Sequence, residues 1–334
     1  MSQTENRTPL YVPERSIPVP RSISPGAQAV LDRAALTPIV WPPYPAPDDT
    51  AAWFDYIDDA NANMMAMIKA LPQPGDDAEV ETLRVGEISC FRIAGGADAH
   101  GTSGDVVLDI HGGALIAGGG ELCRIMACRA AARSGATGYA PDYRLPPLHP
   151  YPAALDDCVA AYRRVLADHA PERVVVRGSS AGGNLAAALI LRAKAEGLPL
   201  PAGLILETPE LDLTESGDSF QTNMIIDVVL QRGLGPANNL YAGGHDLADP
   251  YLSPLFGDFS GGWPPTLITA GTRDMFLSNA VRMLHRLRDA DVPVELLVYE
   301  AMPHGGFFGT PEDQRLANDI QKFAQRCWHR TDAL

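Results

Sequence analysis

The chain has 334 residues, 46% of them hydrophobic, which is enough for one large globular domain with a smaller added part. Its formal net charge of -15 argues against nucleic acid and anionic membrane surfaces as partners. No apolar run approaches the roughly 18 residues of a membrane span. Residues 1–25 also lack the basic start and apolar core of a signal peptide. We therefore expect a cytoplasmic protein without stable membrane association.

The N-terminal residues 1–78 are predicted to form an extended arm and two helices. The first helix candidate spans residues 26–36. Asp49 and Thr50 are typical helix-capping residues, and they start a second predicted helix that ends before Pro72. The aromatic and methionine side chains of this second helix suit either core packing or a mobile apolar lid.

Strands and helices alternate after residue 79, which predicts an α/β protein with a mostly parallel central sheet flanked by helices. An antiparallel pair comes first, and further strands and helices follow. The predicted strands are 80–85, 88–93, 106–110, 137–142, 173–178, 203–207, 266–270 and 294–299. The predicted helices are 121–134, 152–169, 181–191, 278–290 and 311–328. Residues 211–250 interrupt this alternation, so we interpret them as an insertion.

A serine lies at the apex of a predicted turn between a strand and a helix. Three valines before Gly178 favour a buried strand, and the alanine-rich and leucine-rich residues after Gly182 favour a helix. Together these residues form the G-x-S-x-G pattern of a nucleophile elbow, with Ser180 at its centre. The two glycines stand where a Cβ would clash with the crowded backbone. The sequence therefore predicts Ser180 as a nucleophile above the edge of the sheet.

A serine hydroxyl needs a base, and the base needs an orienting acid. In folds of this kind the three groups follow one another along the chain as serine, acid and histidine. His304 lies in a glycine-containing loop after the strand at 294–299, where parallel sheets place their sites. Asp274 follows the strand at 266–270, although an aspartate there can also simply cap the next helix. We predict His304 as the base and Asp274 as the acid.

Two glycines after another buried strand are suited to binding a negatively charged intermediate. Gly112 and Gly113 let backbone N–H groups approach a ligand closely. The N–H of Ala181, directly after the serine, is expected to point to the same place. We predict these three N–H groups as an oxyanion hole. His111 precedes the serine by a long stretch of chain, so we expect it to be a structural hydrogen-bonding residue rather than the base.

With these motifs in place, the chain resembles the bacterial hormone-sensitive-lipase-like family of α/β-hydrolase carboxylesterases. The matching segments are residues 111–113, 142–145, 149–154, 178–185, 264–274 and 303–305. The resemblance implies hydrolysis of carboxylic esters, with Ser180, Asp274 and His304 as the catalytic triad. It also implies a helical cap over the site, and it requires no metal and no cofactor.

The implied cap agrees with the breaks in the strand–helix alternation. The domain assignment runs in four parts, with the arm and cap helices in 1–78, the first part of the hydrolase core in 79–210, the cap insertion in 211–250 and the second part of the core in 251–334.

Three positions depart from the usual pattern of the family. The usual third glycine is Ala114, and Ser179 precedes the nucleophile where the family often has aspartate or threonine. Leu148 replaces the glutamate that usually precedes the His-Pro pair. We expect these changes to affect substrate range and local support more than the chemistry.

The acyl pocket is expected to be apolar, and a helical cap favours small or medium soluble esters over emulsified fats. The pocket candidates, chosen by their position in loops or in the predicted cap, are Trp53, Phe54, Met224, Met275, Phe276 and Phe307.

Other functions use the same fold. A lactonase or an amidase needs the same triad, so both stay open as alternatives. A non-catalytic small-ligand receptor is an alternative of another class, although such relatives have lost the histidine that is present here as His304. The strand at 294–299 is rich in valine and leucine, and at a sheet edge it would suit pairing in a homodimer.

Overall fold

The computed structural model describes residues 9–37, 41–71, 79–94 and 104–329. Two helices precede the sheet, α1 (Pro25–Leu36) and α2 (Thr50–Ala70). The side chains of Ser24 and Asp49 accept hydrogen bonds from the first turns of these helices and cap them. Asp49 therefore starts the second helix as predicted, while Pro72 lies outside the described residues.

The core is an eight-stranded sheet with the strand order β1-β2-β4-β3-β5-β6-β7-β8. Its strands are β1 (Val80–Val85), β2 (Ile88–Ile93), β3 (Val106–Ile110), β4 (Thr137–Pro141), β5 (Val174–Ser179), β6 (Gly203–Glu207), β7 (Thr266–Gly271) and β8 (Val294–Tyr299). The β1–β2 and β2–β4 pairs are antiparallel, and the other neighbours are parallel. Strands β3, β6 and β7 are buried along their whole length because helices cover both faces of the sheet.

The remaining helices connect or flank these strands. They are α3 (Glu121–Ser134), α4 (Ala153–Asp168), α5 (Ala181–Ala195), α6 (Ser219–Thr222), α7 (Gly235–Ala242), α8 (Leu277–Asp289) and α9 (Pro311–Trp328). Helices α4, α5 and α8 pack in the largest apolar cluster, on one face of the sheet. Helix α9 packs on the opposite face through Phe323, Cys327 and Trp328. The predicted α/β class and flanking helices are therefore confirmed.

The segment between β6 and β7 contains the short helices α6 and α7 and a single 3₁₀ turn at Pro254–Phe256, and no strand lies there among the described residues. This is where the sequence predicts an insertion. Strand β8 lies at the edge of the sheet, and its Val298 is 44% exposed. Within the described part of the chain, no helix combines the length and the apolar character needed to cross a membrane.

Candidate active site

Ser180 lies in a sharp turn between β5 and α5, with φ 56° and ψ -122°. A Cβ on Gly178 would lie 2.1 Å from the carbonyl oxygen of Gly182, and one on Gly182 would lie 2.0 Å from that of Ile110. The backbone N–H of Ser180 donates to the carbonyl oxygen of Glu207 at 2.8 Å. The turn therefore depends on backbone contacts that only glycine allows.

The structure brings Ser180, His304 and Asp274 together at the carboxyl ends of the parallel strands. The Oγ atom of Ser180 lies 2.9 Å from Nε2 of His304, and Oδ1 of Asp274 lies 3.1 Å from Nδ1. Asp274 is fully buried and His304 is 6% exposed. With Nδ1–H donating to the carboxylate, Nε2 is left to accept the serine O–H. These distances are those expected of a nucleophile, its base and an orienting acid.

The electrostatic surroundings of His304 favour its protonated form. Burial alone disfavours the charged imidazole, but the carboxylates of Asp274, Asp227 and Glu210 together outweigh burial and raise the pKa of His304. Phe276 packs edge-on against the ring at 4.9 Å between ring centres. A raised pKa makes the imidazole a stronger proton acceptor, and the carboxylates of Asp274 and Asp227 stabilise the imidazolium that proton transfer produces.

The predicted oxyanion hole lies against the elbow. A Cβ on Gly112 would lie 2.9 Å from the carbonyl oxygen of Ser179 and 3.2 Å from Cβ of Ser180. Gly113 has φ 137°, a backbone conformation that side chains rarely permit. Ala181 is the first residue of α5, so its N–H has no acceptor within the helix. The close approach of these loops is what an oxyanion hole of backbone donors requires.

His111 is placed to support this loop rather than to transfer protons. Its Nδ1 lies 2.8 Å from the carbonyl oxygen of Gly112, and its ring stacks on Tyr143 at 4.1 Å between centres. Burial lowers the pKa of His111 to about 4, so the imidazole is neutral at neutral pH. The Tyr143 hydroxyl donates to the His111 carbonyl oxygen at 2.8 Å. These contacts have the structural character that the sequence predicts for His111.

One group near this loop has the donor atoms of a metal site. Among the residues that the structure describes, His111, Cys123 and Asp142 offer ligand atoms within 4.8 Å of one another. Asp142 already accepts a hydrogen bond from the N–H of Gly120 at 2.7 Å. Burial also raises the pKa of the Cys123 thiol well above its usual range, whereas metal ligation requires the thiolate. We assign this group no part in the chemistry.

Two departures from the family pattern have a clear structural setting. Ala114 adopts φ 53°, in the left-handed region that glycine enters without strain. Its methyl group borders the apolar clusters beside the site and takes space there. Leu148 is 68% exposed, so the chain presents an apolar side chain to solvent where the family usually has a glutamate.

The six predicted pocket residues fall in different places. One apolar cluster bordered by Ala114 contains three of them, Met224, Met275 and Phe276. Trp53 belongs to the neighbouring cluster, which Ala114 also borders. Phe307 packs instead with residues of α1, and its backbone N–H donates to Asp313 at 2.9 Å. Phe54 is 39% exposed. Phe54 and Phe307 therefore both lie outside the two clusters that contain the other four candidates.

Asp227 is a site residue that the sequence analysis does not identify. It is fully buried, and its Oδ2 accepts from the N–H of Met275 at 2.9 Å while its Oδ1 accepts from the N–H of His304 at 3.3 Å. The nearby amide of Asn223 donates to the carbonyl oxygen of Asp274 at 2.9 Å. Burial raises the pKa of Asp227 to about 6. The insertion thus holds the loops of both the acid and the base.

Comparison with known proteins gives the family. A family model described as the α/β hydrolase fold matches residues 107–308, which is more than half of the chain. The protein therefore belongs to the α/β-hydrolase family. It is 34% identical over 232 residues to an esterase of Acinetobacter venetianus, covering 68% of this chain and 76% of the relative. It is 30% identical over 316 residues to the carboxylic ester hydrolase LipN of Mycobacterium tuberculosis, covering 86% and 81%.

Solved structures agree with these relatives. The crystal structure of an esterase called E25 matches with a TM-score of 0.83 and 30% identity, over 95% of this chain and 98% of that one. EstE7, a hormone-sensitive-lipase homologue from a metagenome library, matches with a TM-score of 0.75 and 32% identity, over 90% and 97%. The predicted fold, the resemblance to bacterial hormone-sensitive-lipase-like esterases and the predicted class of enzyme, a carboxylic ester hydrolase, are confirmed.

Proposed function

We propose that the protein hydrolyses carboxylic esters with small to medium acyl chains through an acyl-enzyme on Ser180. The observation that supports this most directly is the continuous hydrogen-bonded path from Ser180 through His304 to Asp274, at 2.9 Å and 3.1 Å. The names of the relatives, an esterase and a carboxylic ester hydrolase, support the same chemistry.

In the first step, Oγ of Ser180 attacks the ester carbonyl carbon while Nε2 of His304 takes the hydroxyl proton. Asp274 keeps the imidazole in the tautomer with its proton on Nδ1. The carbonyl oxygen becomes negatively charged and is bound by backbone N–H groups of Gly112, Gly113 and Ala181. The tetrahedral intermediate then collapses, the bond to the alcohol oxygen breaks, and His304 gives its proton to the leaving alcohol.

In the second step, water replaces the alcohol. His304 removes a proton from the water as it attacks the acyl carbon, and a second oxyanion forms in the same hole. Collapse of this intermediate breaks the bond to Oγ, which recovers its proton from the imidazole. The products are a carboxylic acid and free Ser180.

The size of the substrate is set by the two segments proposed as the cap, 1–78 and 211–250. Trp53 comes from the first segment and Met224 from the second, and both pack in clusters bordered by Ala114. The apolar side chains of these clusters suit short acyl chains. In agreement, the similar esterase EstE5 has a crystal structure soaked with p-nitrophenyl butyrate. Turnover of butyrate, octanoate and palmitate esters, with lactones and anilides alongside, measures this range.

The proposal is tested by Ser180→Ala, with Ser179→Ala as a matched control one residue away. We expect Ser180→Ala to lower kcat about 10⁴-fold or more, because the nucleophile is lost while the fold stays intact. Ser179→Ala should stay within about tenfold of the wild type. An organophosphate should label the wild type and the control but not Ser180→Ala. Ester turnover retained by Ser180→Ala would refute the proposal.

We also propose a homodimer through β8. Two observations support this. Strand β8 lies at the edge of the sheet, and its sequence VELLVY is mostly apolar, with Val298 exposed. Measurement of molar mass by light scattering, for the wild type and Val298→Lys, tests this. We expect a dimer that Val298→Lys weakens, and a wild type that is monomeric at micromolar concentration would contradict it.

A further inference from the structure

Glu210 is a buried acid that the proposed mechanism does not use. It follows β6, and its side chain is fully buried. Neither of its carboxyl oxygens has a hydrogen-bond partner among the described residues. Its backbone N–H donates to the carbonyl oxygen of Ser180 at 3.2 Å, which places it directly beside the nucleophile. When it is ionised, this carboxylate also raises the pKa of the His304 imidazole.

Two of the residues close to the Glu210 side chain come from the two segments proposed as the cap. Asn238 of α7 lies beside the carboxyl group, and Tyr44 lies within electrostatic reach. The Asn238 amide is close enough to lower the pKa of Glu210, yet it donates to the carbonyl oxygen of Leu213 at 3.3 Å. The Oδ1 atom of Asn238 is itself buried without a partner in the described part of the chain. The junction of core and cap therefore holds two polar groups with unmet hydrogen-bonding capacity.

The protonation state of Glu210 decides what these groups can bind. Burial raises the pKa of Glu210 to about 8, so the carboxyl group is neutral at pH 7. A neutral carboxyl group has one O–H donor and one carbonyl acceptor. It therefore matches a partner that both donates and accepts a hydrogen bond, which is what a hydroxyl group does.

Leaving such groups unpaired is unfavourable, by about 1–3 kcal/mol for each buried polar group. When such groups lie next to the nucleophile, a substrate that supplies their hydrogen-bond partner binds with a more favourable free energy than one that does not. We propose that Glu210 and Asn238 form a recognition site for a hydroxyl group carried by the ester substrate. This inference rests on the proposed function, since it names the substrate class of the same site.

A bound hydroxyl group would donate to the carbonyl oxygen of Glu210 or to Oδ1 of Asn238, and it would accept the O–H of Glu210. An ester of the same shape without the hydroxyl leaves all three positions unpaired. Sites built to hydrogen-bond a substrate hydroxyl discriminate strongly against analogues that lack it. The enzyme should therefore prefer hydroxylated esters over apolar ones of equal size.

The test compares esters in matched pairs, because the hydroxyl can lie on the acyl or on the alcohol side. Ethyl 3-hydroxybutyrate is paired with ethyl 3-methylbutyrate, and 2-hydroxyethyl butyrate with propyl butyrate. We expect the wild type to show at least about a tenfold higher kcat/KM for the hydroxylated member of one pair. Glu210→Leu should remove this preference by raising turnover of the apolar ester and lowering that of its partner. Glu210→Gln, which keeps a donor and an acceptor, should retain part of it.

A control is Asp218→Asn, an exposed acid of the same insertion. It should leave the ratio within each pair unchanged. Thermal unfolding and organophosphate labelling of Ser180 check that every variant is folded and reactive. Equal turnover within both pairs by the wild type, or a preference that survives in Glu210→Leu, would overturn the inference. Absence of labelling and of all ester turnover in the wild type would instead overturn the proposed function.

Discussion

Ser180 and its two hydrogen-bonded partners, His304 and Asp274, are held in place by different kinds of contact. The turn of Ser180 is fixed by backbone packing, with Gly178 and Gly182 leaving no room for a side chain. The loops of Asp274 and His304 are fixed by side-chain hydrogen bonds from the insertion, above all from the carboxylate of Asp227. One half of the site is thus built by the sheet and its helix, and the other half by a polar segment distant in sequence.

This difference bears on how each half responds to substitution. A backbone turn packed at van der Waals contact tolerates no added atom, so changes there should reduce stability. A loop held by a single carboxylate can keep its fold while the geometry or the charge around it changes, so changes there should reduce activity and shift its pH dependence.

Replacing Asp274, the proposed acid of the triad, should give the largest effect. Asp274→Asn keeps the shape of the side chain, but its amide favours the tautomer of His304 with the proton on Nε2, which cannot accept from Ser180. We expect kcat to fall about 10³- to 10⁴-fold with the melting temperature little changed. Steady-state kinetics and calorimetry measure this. A decrease below tenfold would mean that another group orients the imidazole.

The second largest effect should come from adding one methyl group to the elbow, which should lower the stability of the fold. In Gly182→Ala the new Cβ would lie 2.0 Å from the carbonyl oxygen of Ile110, so the turn has to shift. We expect a loss of about 3 kcal/mol in the free energy of unfolding. Gly235→Ala, where a Cβ meets nothing within 4 Å, is the control and should change it by less than about 1 kcal/mol. Denaturant unfolding compares the two, and equal values would contradict the packing argument.

Removing the charge of Asp227 should reveal how the insertion acts on the base. In Asp227→Asn one of the N–H groups of Met275 and His304 loses its acceptor. One of the negative charges that, after that of Asp274, raise the pKa of His304 is also lost. We expect kcat to fall about 10- to 100-fold, with the acidic limb of the pH profile moved to lower pH. Asp212→Asn is the control, since that buried acid of the insertion binds Arg282 instead. If the acidic limb of the pH profile is the same in Asp227→Asn and the wild type, Asp227 acts only by holding the loops in place.

The pH dependence of the wild type follows from the same charges. Only the neutral imidazole of His304 can accept the serine proton, and its pKa is raised above the usual value of 6.5. Activity should therefore decrease as pH falls through that raised value, by about tenfold for each further pH unit. The profile of kcat/KM measured with a neutral ester tests this. A profile that stays flat well below pH 6.5 would exclude His304 as the base.

Restoring the third glycine of the oxyanion loop should have the smallest effect. Ala114→Gly removes a side chain from φ 53° and adds space beside Met275 and Phe276. We expect a change in stability below about 1 kcal/mol and a modest shift toward bulkier acyl groups. Relative kcat/KM over acyl lengths measures the shift, and an unchanged preference would show that Ala114 does not limit the pocket.

The sheet and the elbow were predictable because their causes are local. Apolar runs such as those of β3 and β6 form strands that begin and end where the sequence predicts. The glycines that allow the sharp turn lie two residues before and two residues after the serine. The loops of Asp274 and His304 were predictable from their position after strands. In each case the pattern that predicts the feature is close in sequence to the feature itself.

Asp227 and Glu210 could not be found in the same way. The carboxylate of Asp227 meets the N–H of His304 across 77 residues, and no pattern around Asp227 indicates that contact. Glu210 occupies a short acidic stretch after β6 that resembles an ordinary surface turn, yet it is fully buried. Only the folding of the insertion over the sheet gives these two acids their surroundings.

The carboxylate of Asp227 also limits how this protein can be recombined with its relatives. A chimera that exchanges residues 211–250 for a foreign segment must bring an acceptor to the same point, or two backbone donors of the reaction centre are left unpaired. Engineering a new specificity through this segment is therefore safest when Asp227 and its immediate neighbours are kept and only the outward-facing part is replaced.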